Sequence, residues 1–65
     1  MKVTVNDQEC DVSETTTVAD LLESLDYPEQ GIAVAVNWAL LPRSQWDSVL
    51  PEGAHVEVVT AVQGG

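Results

Sequence analysis

The sequence predicts an α+β fold of order ββαββ, with one helix packed on one face of a mixed sheet. Three observations predict it. Valines alternate with polar residues near both ends of the chain, one apolar stripe at helical spacing lies between them, and short clusters of turn residues separate the runs.

Val3 and Val5 alternate with polar neighbours in Lys2-Val3-Thr4-Val5-Asn6, the pattern of a half-buried strand. Asn6-Asp7-Gln8 is a turn cluster, and Cys10 and Val12 resume the alternation on the return. The two runs form a hairpin with Val3, Val5, Cys10 and Val12 facing one way.

Thr17 stands three residues before Asp20 at the head of an apolar run, a capping box with a shorter acid than usual. Val18, Leu21, Leu22 and Leu25 follow at i, i+3, i+4 and i+7, the stripe of an amphipathic helix. Asp20 and Glu23 lie toward its polar side, and Pro28 and Gly31 close the helical region.

Ile32-Ala33-Val34-Ala35-Val36 reads as a strand with its bulky residues on one face and its alanines on the other. Asn37-Trp38 turns the chain into a short strand, Ala39-Leu40-Leu41, which Pro42 terminates. After a turn at Pro51-Glu52-Gly53, the last strand carries Val56 and Val58 in one phase and Glu57, Val59 and Ala61 in the other.

The helix stripe can cover Val3, Val5, Val34, Val36, Val56 and Val58. The other face of the sheet stays open, with Val59, Ala61, Ala33 and Ala35 forming a small apolar patch beside Glu57. Such a patch, rimmed with acid, is either a docking site or ordinary scattered surface exposure; docking is the preferred reading.

Sixty-five residues make one domain over residues 1–65, without volume for a deep catalytic pocket. Eleven acids against Lys2 and Arg43 give a formal charge of −9. That argues against nucleic acid and anionic membrane as partners, since both need clustered cations, and favours basic protein surfaces. Cys10 is the single cysteine, so no internal disulfide forms and a reducing, cytoplasmic setting is expected. No leader or membrane-spanning stretch is read from the sequence.

The chain ends in Gly64-Gly65 directly behind the last strand. Without Cβ atoms, these residues make a narrow stalk that can carry a carboxylate into another protein's active site. A flexible Gly-Gly tail over residues 63–65 is therefore expected, with Gly65 reactive and Gly64 and Gln63 threading behind it. Among other reactive types, Cys10 reads as a small inward hydrophobe. His55 has no cysteine or second histidine to share a metal, so none is expected. Arg43 either braces its loop against a carboxylate, the preferred reading, or contacts a partner. Trp46 is expected over the end of the core and Trp38 exposed in its turn.

The ending Val56-Glu57-Val58-Val59-Thr60-Ala61-Val62-Gln63-Gly64-Gly65 resembles the C-terminal signature of the ThiS family of sulfur carriers. Val36-Asn37, Leu41-Pro42-Arg43 and Trp46 resemble that family's V-N…V-P-R-x-x-W segment, with Leu41 in place of the usual valine and Trp38 at a turn position where small or polar residues are common. The resemblance covers essentially the whole chain. It implies a ubiquitin-like β-grasp fold and a carrier that is not itself an enzyme and binds no cofactor.

It further implies that an E1-like adenylyltransferase uses ATP-Mg to join AMP to the Gly65 carboxylate. A sulfur relay from a cysteine desulfurase then converts it to a thiocarboxylate, which donates sulfur to thiazole synthase in thiamine biosynthesis. The alternatives are a carrier of the molybdopterin-synthase small-subunit type, a ubiquitin-like protein modifier, and a β-grasp interaction module with an inert tail.

Overall fold

Strand β1 (Lys2–Val5) turns into β2 (Gln8–Asp11) through only two residues, Asn6 and Asp7, with φ of 48° and 71°. This is the two-residue hairpin turn whose twist suits antiparallel strands, and Asn and Asp are among the few residues that tolerate its left-handed angles. The computed structural model describes residues 1–60. The expected tail, Gln63, Gly64 and Gly65, lies outside the described residues, as do Ala61 and Val62.

The single α-helix, α1, spans Val18–Ser24. Seven residues are too few for an isolated helix to hold its shape in water, so its ends and its buried face must hold it. At its start every orphan donor is satisfied. Val18 N donates to the Ser48 carbonyl at 3.2 Å, Ala19 N to the Trp46 carbonyl at 3.0 Å, and Asp20 N to Thr17 Oγ1 at 3.1 Å. The Asp20 carboxylate accepts from Thr17 N at 3.2 Å, completing the expected capping box.

The helix stops earlier than its stripe suggests. Asp26 adopts a left-handed φ of 62°, Asp26 N donates to the Glu23 carbonyl, and Tyr27 N donates to the Leu22 carbonyl. These paired bonds form a Schellman ending, with Asp in the position glycine usually fills. Leu25 is consequently the C-cap and is 39% exposed, so it drops out of the apolar stripe. Pro28 and Gly31 come after the helix has already ended.

Strand β3 (Ile32–Val36) meets β4 (Ala39–Leu41) across a second two-residue turn, Asn37 and Trp38, with φ of 51° and 67°. A short 3₁₀ turn at Arg43–Gln45, not foreseen in the sequence, leads into the Trp46–Leu50 segment that caps the helix. Gly53, at φ 71°, turns the chain into β5 (His55–Thr60).

Counting the short β4, the sheet has five strands in the order β2-β1-β5-β3-β4. β5 lies in the middle, parallel to β1 and antiparallel to β3, which makes the sheet mixed. Val3, Val5, Val34, Val56 and Val58 are buried beneath Val18, Leu21 and Leu22 of the helix. Trp46, Leu50 and Ala54 close the core, and Val36 and Cys10 pack partly buried at its margin. Among the described residues no helix is long and apolar enough to cross a membrane.

Candidate docking face

The face of the sheet turned away from the helix is built by registry between β3 and β5. Ala33 pairs with Val59, and Ala35 with Glu57. Ala33 is exposed and Ala35 half-buried, while Val59 is 63% exposed. Three of the four expected docking residues thus stand together; Ala61 lies outside the described residues.

Two further side chains extend the patch, and sequence reasoning left both out of it. Leu40 pairs with Ala35 on the edge strand β4 and is 73% exposed. The signal was present: a two-residue turn at Asn37-Trp38 places Leu40 opposite Ala35 and in the alanine phase. Trp38, 76% exposed, stacks on the His55 ring with centroids 4.5 Å apart and planes 10° from parallel. The small alanines between Leu40 and Val59 leave room for a partner's side chains.

The polar margin is held as firmly. His55 N donates to Asn37 Oδ1 at 2.9 Å, and Asn37 N donates to the His55 carbonyl at 2.7 Å. His55 Nε2 lies 3.0 Å from Glu57 Oε1. Asp7 of the first turn joins them, so that one ligand atom from each of Asp7, His55 and Glu57 lies within 4.8 Å of the others. The expectation that His55 has nothing to share a metal with counted only cysteine and histidine and missed these carboxylates.

Trp46 Nε1 donates to the Leu41 carbonyl at 3.2 Å, fixing the indole over the end of the core. Arg43 does not brace a carboxylate among the described residues; its guanidinium lies 5.8 Å above the Trp46 ring. The two flank a groove of about 270 Å³ between α1 and the 3₁₀ turn, lined also by Asp20, Glu23, Tyr27 and Asp47. Cys10 is half-buried, its Sγ 3.9 Å from the Gln8 carbonyl. Among the described residues no nucleophile is paired with a base.

One helix packed on a mixed five-stranded sheet in this order is a small β-grasp domain. The chain belongs to the ThiS family, whose model matches residues 1–65. It is 33% identical over 66 residues to the sulfur carrier protein ThiS of Escherichia coli K12, covering all of both chains. The crystal structure of the thiamine biosynthesis protein ThiS from Geobacter metallireducens superposes with a TM-score of 0.81 at 29% identity, again over all of both chains. A solution structure of a thiamine biosynthesis protein from that organism gives 0.77 at 29% identity, covering all of this chain and 88% of that one.

Proposed function

We propose that the chain is the sulfur carrier of thiamine biosynthesis and that its cargo is held at Gly65 as a thiocarboxylate. The observation that carries this reading is likeness along the whole length, in sequence and in fold, to ThiS proteins. The same likeness favours it over a molybdopterin-type carrier, a protein modifier or an inert module.

The chemistry needs little from the carrier. A carboxylate is a poor electrophile. An E1-like adenylyltransferase uses ATP-Mg to convert the Gly65 carboxylate to an acyl-adenylate, releasing pyrophosphate. A relay persulfide, R–S–SH, charged by a cysteine desulfurase, attacks the acyl carbon through its terminal sulfur, and AMP departs. A second thiol then cleaves the S–S bond of the acyl disulfide, leaving the thiocarboxylate and a disulfide on the relay. Gly64 and Gln63 thread the terminus into the enzyme, and the absence of a side chain on glycine keeps the approach to the carbonyl open. The thiocarboxylate is then a ready nucleophile for thiazole synthase, and the partner enzymes provide the electrostatic and acid–base catalysis.

Ala33, Ala35, Val59 and Ala61 dock the carrier on these enzymes, joined by Leu40 and Trp38. Its setting is the cytoplasm, where ATP and a reduced sulfur relay are at hand. The test is ATP–pyrophosphate exchange by the activating enzyme with Gly64→Ala carrier. The reading expects a folded protein and sharply slowed exchange, because the added methyl must enter the enzyme's channel. Exchange at the unmodified rate would overturn the threading step.

A further inference from the structure

We propose that Asp7, His55 and Glu57 form a divalent-cation site of the zinc type, where the β1–β2 turn meets β5. Their ligand atoms come within 4.8 Å of one another, one imidazole nitrogen and two carboxylate oxygens. Donors bound tetrahedrally to one zinc ion at about 2.0–2.2 Å stand roughly 3.3–3.6 Å apart. His55 Nε2 and Glu57 Oε1, hydrogen-bonded at 3.0 Å, need only part slightly and turn toward a shared ion to reach that spacing. Asp7, exposed at the tip of its turn, offers the third donor.

The site is built from outside its own members. Trp38 stacks flat on the imidazole and sets its plane. Asn37 holds the His55 backbone through two hydrogen bonds. The turn carrying Asp7 is pinned to β5 by the Asn6 carboxamide, which bonds both backbone groups of Val58. All three donors therefore start from fixed backbone, which lowers the ordering cost of binding.

The donor set chooses the ion. Two carboxylates with a neutral imidazole carry a charge that a divalent cation cancels. The nitrogen donor favours zinc and its transition-metal neighbours over calcium or magnesium, which prefer oxygen alone. Three protein ligands leave a coordination position open to water or to a partner's side chain. The chain's charge of −9 raises the local cation concentration. Because Glu57 lies on the proposed docking face, a bound ion would neutralise a margin otherwise acidic. This site is independent of the sulfur chemistry at Gly65.

The test is a Zn²⁺ titration of the untagged full-length protein by calorimetry, with the His55 imidazole resonances followed by NMR. Saturable one-to-one binding that shifts those resonances is expected. Asp7→Asn and Glu57→Gln, which keep shape and remove charge, should each weaken binding at least about tenfold, while Asp11→Asn, outside the cluster, should stay within about twofold. Absence of saturable binding at millimolar Zn²⁺ would overturn the proposal. So would equal loss in all three variants, the mark of bulk charge attraction, or loss of binding in Cys10→Ser.

Discussion

The Asn6 side chain serves as an extra peptide unit for Val58, accepting from Val58 N at 2.8 Å and donating to the Val58 carbonyl at 3.1 Å. Backbone pairing of β1 with β5 reaches Val5 and Val56, and Asn6 N still donates to the Val56 carbonyl. Asn6 thus carries the parallel ladder one step further while its own backbone turns at φ 48°.

Asn6→Ala should accordingly be costly for a turn residue. Two hydrogen bonds at about 1 kcal/mol each, with the strain of a left-handed alanine, predict a loss of roughly 2–3 kcal/mol. The midpoint of thermal unfolding should fall by about 10 °C or more. A fall of only a degree or two would mean that the carboxamide bonds are replaced by water at no cost.

The two leucines that share the expected helix stripe should behave differently. Leu22, 4% exposed, should cost about 2–5 kcal/mol on truncation to alanine, enough to unfold much of a domain this small. Leu25→Ala should stay within about 0.5 kcal/mol, because Leu25 is the exposed C-cap residue. Denaturant titration of both variants checks the pair, and equal losses would place Leu25 in the core.

That contrast shows where the sequence was legible and where it was not. Local signals worked: Thr17 and Asp20 form their capping box, and the valine alternation marks the buried face of β1 and β5. The helix end is not legible because Asp26, not glycine, takes the left-handed angle, while the stop signals in the sequence, Pro28 and Gly31, lie further on. The Trp46–Leu50 segment was hidden because it works through backbone carbonyls, which any residue type supplies. The insertion of β5 between β1 and β3 is a long-range pairing with no local trace. It alone brings Glu57 beside Ala35, and through Asn6 it fixes the turn that brings Asp7 to His55. The alanine patch followed from simple alternation, whereas Leu40 required the register of a hairpin turn.

On the proposed docking face, the energetics of folding and of binding should separate. Val59→Asp and Leu40→Asp change exposed side chains and should shift stability by no more than about 0.5 kcal/mol. Each should nevertheless weaken binding to the activating enzyme at least about tenfold if it sits near the centre of the interface. Trp38→Gly is the sharper case. Glycine suits φ 67° better than tryptophan, so relief of strain should roughly offset loss of the His55 stack. Unchanged melting with weaker binding would identify Trp38 as a contact kept for the partner. Unchanged binding in all three variants would move the docking surface elsewhere.

The most direct test is the mass of the carrier after incubation with the proposed activating enzyme, ATP-Mg and a sulfur source. The account predicts a gain of one sulfur and a loss of one oxygen, placed on Gly65 by fragmentation, with Cys10 still alkylatable as a free thiol after denaturation. A whole added sulfur on Cys10 that disappears on reduction would contradict it, and so would isopeptide-linked lysine adducts without any thiocarboxylate.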